Sequence, residues 1–503
     1  MIKIKKTLIF TMLVGSLFTA CDTDYINDPD SPKIVPTSQL FNNAAYDVAY
    51  NLNDQWVAGR GTLSIAQYWG GTEYTEENRY ALRTNMVNSM WNQPYFILTE
   101  LQKVIELNEN ADSKDLMSAY GDNNNQIQVA RILMSYTFIK LVDTFGDVPY
   151  WSYGQKDNPD FQALKLPEGI STPKYTDAKT IYIDLLAELK DAADKLNLSA
   201  SGFKSGDNIY DGDVSKWRKL AHSLRLRLAS HILKSDAAIA NQAFNESDAL
   251  AFSSNADNAD FIFGTDDLTG GPWHQAVTVG ARRDFAPSIS FVELLYNRKG
   301  PFQAVGSEDP RVEKFFEKRE SSAEVIGVPS VYGKDITLAI LNESTMSPEI
   351  IKADFAQPLF QYAEVEFIRS EFNSWSQANY ENGVKASMEY WGVPSADITS
   401  YVAALPAASE ENVLTQKYIG LFMDGLEGWT EYRRSGYPNT LDVPGDVYNG
   451  VTFTTLITDL NTIPNRVNYP ANEQLLNKEN RDAARDLLSD GDTMISKIFW
   501  DVN

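Results

Sequence analysis

Glu427 and Glu431 stand four residues apart, so on a helix they share one face. Two carboxylates so placed could reach the short separation at which retaining glycosidases set an acid against a nucleophile. The same stretch holds Lys417, Arg433 and Arg434, and carboxylates among that many cations pair with them more readily than they cleave a sugar. Pairing is therefore the preferred reading. Glu364 and Glu366 are two apart, point to different helix sides and make no dyad.

The three histidines are His222, His231 and His274. His222 and His231 lie nine apart, almost opposite each other across one helix, and cannot close on one metal. His274 sits in a Gly-rich loop, where it is an ordinary loop histidine able to donate to a ligand. There is no His-Glu-x-x-His, no Gly-x-Ser-x-Gly elbow and no phosphate-cradling Gly-rich loop leading into a helix. The expectation is a protein without a catalytic residue, metal or cofactor.

Aromatic residues remain. They make up 12% of the chain, and most must be core. Those in loops matter more, because sugar rings and peptide side chains stack on exposed aromatic faces. Tyr68-Trp69-Gly70-Gly71 and Gly270-Gly271-Pro272-Trp273 put rings beside glycines, where backbone can step aside and leave a flat face open. Large rings lose little conformational entropy on binding. The candidate ligand-contacting set is Trp69, Tyr74, Tyr80, Trp273, His274 and Arg282, with Arg283 beside it. The alternative for each ring is that it plugs a gap under its own loop.

These residues need a frame, and the frame is organised around residues 128–150. Val129, Ile132, Leu133, Tyr136, Ile139 and Val142 follow helical spacing, while Ala130, Met134, Phe138 and Leu141 make the other side apolar too. Such a helix must be covered nearly all round. Gly146 suits a left-handed cap and Pro149 forbids continuation. Helical spacing also marks residues 39–58, 83–109, 177–196, 214–233, 356–373 and 378–391. Helix pairs of this size suggest an all-α, tetratricopeptide-like scaffold of helical hairpins, although the 34-residue consensus is not legible. Residues 250–352 have fewer helical periods and read as a large irregular, loop-rich region for ligand binding laid against that scaffold.

At the start, Lys3, Lys5 and Lys6 precede an apolar run too short to span a bilayer, and then Thr19-Ala20: a signal peptide over residues 1–20. Cys21 follows and is the only cysteine, so it can close no internal disulfide. Its expected use is lipid attachment, which would anchor the chain by acyl groups rather than by a span. Residues 21–38, rich in Asp, Pro, Asn and Ser, read as a tether, and residues 39–503 as a single helical domain. Without the three signal-peptide lysines, the 44 basic residues become 41 against 68 acidic ones, a net charge of −27. Nucleic acid is a poor partner for that surface.

Five stretches resemble one family. Arg131, residues 134–141 and Phe145-Gly146-Asp147-Val148-Pro149 resemble a signature of the SusD/RagB family, surface lipoproteins of Bacteroidetes-type bacteria that bind nutrients beside an outer-membrane transporter. Pro173 followed by Ile181-Tyr182 and Leu185 matches the start of a family helix. Trp217 to Arg227 resembles its W-x-K-L-A-N-S-L-R-L-R motif, with His222 where Asn is common. Gln416-Lys417-Tyr418, Glu427-Gly428-Trp429 and residues 432–438 resemble its C-terminal signature, and residues 464–470 with Glu473 and Asn477 its last one. Phe18-Thr19-Ala20-Cys21 resembles a relaxed lipobox, and acidic starts such as Asp22 and Asp24 accompany surface export in this lineage.

The resemblance implies a non-enzymatic outer-membrane lipoprotein, exposed at the cell surface, that caps a TonB-dependent transporter barrel and passes oligosaccharides to it. Two rivals stand beside it. The same fold could carry peptides, with the acidic surface steering basic ones, or the protein could be a surface glycoside hydrolase using Glu427 or a loop acid.

Overall fold

The computed structural model describes residues 34–337 and 344–503; the signal sequence, Cys21 and most of the expected tether lie outside the described residues. Thr37–Asn503 forms one compact unit. Among the described residues its helices of ten residues or more are α1 (Thr37–Tyr50), α2 (Thr84–Glu109), α3 (Asn123–Phe145), α4 (Ala178–Lys195), α5 (Val214–Ile232), α6 (Ala237–Ser247), α7 (Tyr362–Phe372), α8 (Gln377–Tyr390), α9 (Ser395–Ala404), α10 (Glu410–Gly420) and α11 (Gly425–Ser435).

Helix α3 is the centre. Every residue from Asn125 to Phe145 is buried, as an apolar run on all sides requires. Asp122 caps its start, accepting the Asn125 N–H at 2.9 Å. Gly146 ends it at φ +82°, and its N–H reaches the Val142 carbonyl at 2.8 Å. Helices α2 and α4 pack directly on α3, and α5 and α11 also touch it. Each helix from α1 to α6 packs on a near neighbour in sequence, which makes a tetratricopeptide-like series of hairpins. Helices α7 to α10 gather a second, smaller core around Phe367, Tyr380, Met388 and Tyr401.

Two expected helices start or end elsewhere. The first stops at Tyr50, and a π-helical turn over Gln55–Thr62 replaces its last part. Asp54 explains the break: its carboxylate accepts the N–H groups of Trp56 (2.9 Å) and Val57 (2.6 Å), which caps a new helical segment. The segment expected to be helical from 356 opens instead as a strand, Gln357–Phe360, because Pro358 offers no helical N–H and the edge pairs with Ala259–Phe261.

Residues 251–352 contain no described helix longer than seven residues. Short antiparallel pairs pin this region down. Strand β1 (Trp69–Gly71) pairs with β3 (Phe285–Pro287), β2 (Ala259–Phe261) with β6 (Gln357–Phe360), and β4 (Phe316–Glu317) with β5 (Thr345–Met346). The β1–β3 register sets Trp69 against Pro287 and Gly71 against Phe285. It therefore joins residues more than two hundred positions apart, and the candidate site is built on that join.

Candidate functional site

The carboxylates come first. Glu427 and Glu431 share a face of α11, and both are buried in a seam of ion pairs. His231 Nε2 lies 2.9 Å from Glu427 Oε1, and Arg227 Nε lies 3.4 Å from Oε2. Glu431 meets Lys417 at 2.7 Å and Arg434 at 2.7 Å, and Arg434 also reaches Glu371 at 2.7 Å. Burial pushes Glu427 up, yet Arg227 and His231 hold its carboxyl well below the ordinary range. Burial likewise opposes ionisation at Glu431, and Arg434 and Lys417 overcome it. A glycosidase acid must keep its proton near neutrality; these two groups are ionised acceptors, enclosed and fully engaged.

Asp143, His231 and Glu427 bring one ligand atom each within 4.8 Å of one another. Both nitrogens of His231 are occupied, Nε2 by Glu427 and Nδ1 by the Tyr182 hydroxyl at 2.9 Å. With Arg227 already against Glu427, the cluster is an ion-paired core. Sequence spacing could not find it, since its members lie on α3, α5 and α11.

The loop rings do not present open faces, and this corrects the picture of a platform made by Trp69, Tyr80 and Trp273. Trp69 is 0% exposed and Trp273 1%; their rings meet at 5.3 Å, and Trp69 also packs on Phe316 and Phe422. Tyr80 is 0% exposed against Phe453. The glycines beside them serve close packing. A Cβ on Gly70 would stand 2.8 Å from Ser330 Cα, and one on Gly271 would stand 2.8 Å from the Phe263 ring. Backbone steps aside there for neighbouring chain, not for a ligand. His274 is also committed: Nδ1 lies 3.0 Å from the Ile351 carbonyl and Nε2 2.9 Å from Asp267.

Tyr74 and Arg282 remain at the surface, and the β1–β3 join brings them together. Past the strands the register continues, with the Thr72 N–H on the Asp284 carbonyl at 2.9 Å. Tyr74 is 40% exposed and lies over the Arg60 guanidinium, 3.9 Å from ring centroid to Cζ, with Arg83 at 5.2 Å. Half-buried Trp56 faces the same two arginines at 5.5 and 5.9 Å. Asp284 fixes the arrangement. It binds Arg60 at 2.7 Å and takes Arg282 in a bidentate grip at 3.0 and 2.7 Å. Burial opposes its charge, but Arg282 and Arg60 bring its carboxyl below the ordinary value.

Arg282 is also the wall of a cleft of about 230 Å³ whose other sides include Arg283, Phe285, Glu317, Thr345 and Met346. The candidate site is thus two surface rings, a fixed arginine cluster and an adjoining cleft. Trp56, Arg60 and Arg83 were missed by sequence reasoning. The four-residue spacing of Trp56 and Arg60 puts them on one helical face and was the available signal. Chemically, the arrangement can stack a ring and donate hydrogen bonds.

Comparison with known proteins agrees with this frame. A family described as starch-binding and associating with the outer membrane, SusD-like, matches residues 29–470. No curated protein matches the chain. Among solved structures, a SusD homolog from Parabacteroides distasonis superposes with a TM-score of 0.75 at 22% identity, covering 93% of this chain and 98% of its own. A chitin-binding protein gives 0.74 at 23% identity, covering 93% and 100%. A chitin-binding SusD homolog from Flavobacterium johnsoniae gives 0.70 at 22%, covering 92% and 97%. With the helical frame and the family match both running through nearly the whole compact unit, the chain belongs to the SusD-like family.

Proposed function

We propose that this protein is a cell-surface glycan-binding lipoprotein that captures oligosaccharides without cutting them and partners a TonB-dependent outer-membrane transporter. The observation that carries the reading is the exposed Tyr74 ring near Trp56, held over Arg60, which Asp284 immobilises together with Arg282. A sugar face stacks on such a ring, and its hydroxyls accept from guanidinium N–H groups whose positions are set in advance. Family membership supports a glycan as cargo, as do the chitin-binding relatives. The engaged, ionised state of Glu427 and Glu431 supports binding without hydrolysis. Among the described residues no helix is long and apolar enough to cross a membrane, and attachment through acylated Cys21 accords with that.

Peptide cargo is the second reading. Basic peptides, which the overall negative charge would attract, meet arginines at this site, so the local chemistry disfavours them. Isothermal titration with starch- and chitin-derived oligosaccharides beside a peptide panel tests the proposal. Saturable saccharide binding weakened by Tyr74→Ala is expected. Binding of peptides alone, or release of new reducing ends from the saccharides, would overturn it. Incorporation of labelled palmitate into the wild type but not into Cys21→Ser checks the anchor.

A further inference from the structure

The chain carries 68 acidic against 44 basic residues; around Tyr74, Glu77 answers Arg83 and Glu73 answers Lys334, while the other arginines of the candidate site have fewer carboxylates to meet. Arg60 and Arg282 share one carboxylate, Asp284, whose Oδ2 alone receives Nη2 of both. One negative charge therefore answers two positive ones. Arg283 adds a third. It is exposed, and its Nη1 is held by the carbonyls of Val277 at 3.1 Å and of Arg282 at 2.8 Å. Among the described residues no carboxylate pairs with Arg283, although the exposed Glu317 lines the same cleft. Two backbone carbonyls orient this guanidinium without neutralising it.

A fixed guanidinium with no carboxylate partner, on the wall of an open cleft, is a donor that planar anions recognise. A neutral sugar would leave it solvated and unused. A uronate carboxylate or a sulfate ester on the sugar would instead accept a charge-assisted hydrogen bond from it. The surrounding negative surface gives no general attraction for anions, so any preference for them must arise locally at these arginines.

We infer that the cleft selects acidic saccharides, with Arg283 as the residue that meets the anionic group; this rests on the glycan-binding reading above. Uronates and sulfate esters share the chemistry, and separate ligands distinguish them.

The experiment compares each acidic ligand with its neutralised twin on the full mature protein by calorimetry. Oligogalacturonides are set against their methyl esters, sulfated chondroitin fragments against desulfated ones, and chitooligosaccharides serve as an uncharged reference. At least one acidic ligand should bind about tenfold or more tighter than its twin, the scale of one hydrogen bond to a charged group. Arg283→Gln should weaken that ligand about tenfold more than it weakens the twin, and Arg283→Lys should recover part of the difference. Because Arg283 is exposed, folding of the variants is verified by an unchanged melting curve. Equal binding of acid and twin, or binding of chitooligosaccharides with none of the acidic ligands bound, overturns the inference and leaves the glycan reading standing. Failure of every saccharide, charged or neutral, sinks the glycan reading itself and the inference with it.

Discussion

Lys417 Nζ and Glu431 Oε2 lie 2.7 Å apart with neither side chain reaching solvent. The pair joins α10 to α11, and Arg434 completes it from the same helix as Glu431. Two carboxylates at helical spacing, suggestive of catalysis in the sequence, are here the means by which helices are locked together.

Removing one partner should therefore be costly. Lys417→Met leaves Glu431 with a single cation in the dry interior, and breaking such a pair costs about 3–5 kcal/mol. Urea unfolding should register that loss. The exposed pair Lys190–Asp194, also at four-residue spacing, gives the contrast: Lys190→Ala should change stability by less than about 1 kcal/mol. Similar losses from both variants would mean that Lys417 and Glu431 are not enclosed as described.

The rings divide into two classes with separable effects. Trp69→Ala empties a fully buried site between Trp273 and Phe422 and should cost about 3–5 kcal/mol of stability. Tyr74→Ala forfeits a surface cation–π contact with Arg60, about 1 kcal/mol or less, while saccharide affinity should fall about tenfold. Melting curves read the first effect and calorimetry the second. Loss of affinity from Trp69→Ala without loss of stability would put the ligand elsewhere.

That division marks how far the sequence could be read. Helix α3 was legible because its apolar residues, the Gly146 cap and Pro149 are local signals, and local signals survive folding. The ligand set was only partly legible. Tyr74 and Arg282 lie 208 positions apart in the numbering and meet through the β1–β3 pairing, which leaves no periodicity in either segment. Glycine beside tryptophan was ambiguous for a physical reason. A missing Cβ can open a face to solvent or admit a neighbouring chain, and at Gly70 and Gly271 the neighbours are Ser330 and Phe263.

His222 should make stability depend on acid. Burial, with Arg225 and Arg218 nearby, pulls its imidazole down from 6.5 to about 4. Above pH 6.5 the ring is neutral in both folded and unfolded chains and contributes no pH dependence. Between 6.5 and 4 the unfolded chain takes up a proton that the folded one refuses, so stability falls by up to about 1.4 kcal/mol per pH unit. His222→Asn cannot titrate. Subtracting the variant's urea-derived stability from that of the wild type at each pH should give a difference that is flat above pH 6.5 and grows against the wild type below it. A flat difference down to pH 4 would show that the folded ring accepts its proton normally.

Gly425 is the first residue of α11 and lies where that helix meets the short turn Leu63–Ile65. A Cβ there would stand 2.5 Å from the Leu63 backbone nitrogen and 2.8 Å from Leu63 Cα. Backbone cannot swing away as a flexible side chain can, so Gly425→Ala must push α11 from the turn. Overpacking of this kind costs about 1–3 kcal/mol. The turn leads directly into β1, and β1 carries the chain to Tyr74, so the displacement should reach the candidate site as well as the core. Gly425→Ala should thus lower both the melting temperature and saccharide affinity, although residue 425 is buried and cannot itself meet a ligand. A variant that melts early but binds normally would separate the two, and would show that the β1–β3 join holds the Tyr74 segment independently of the packing beneath it.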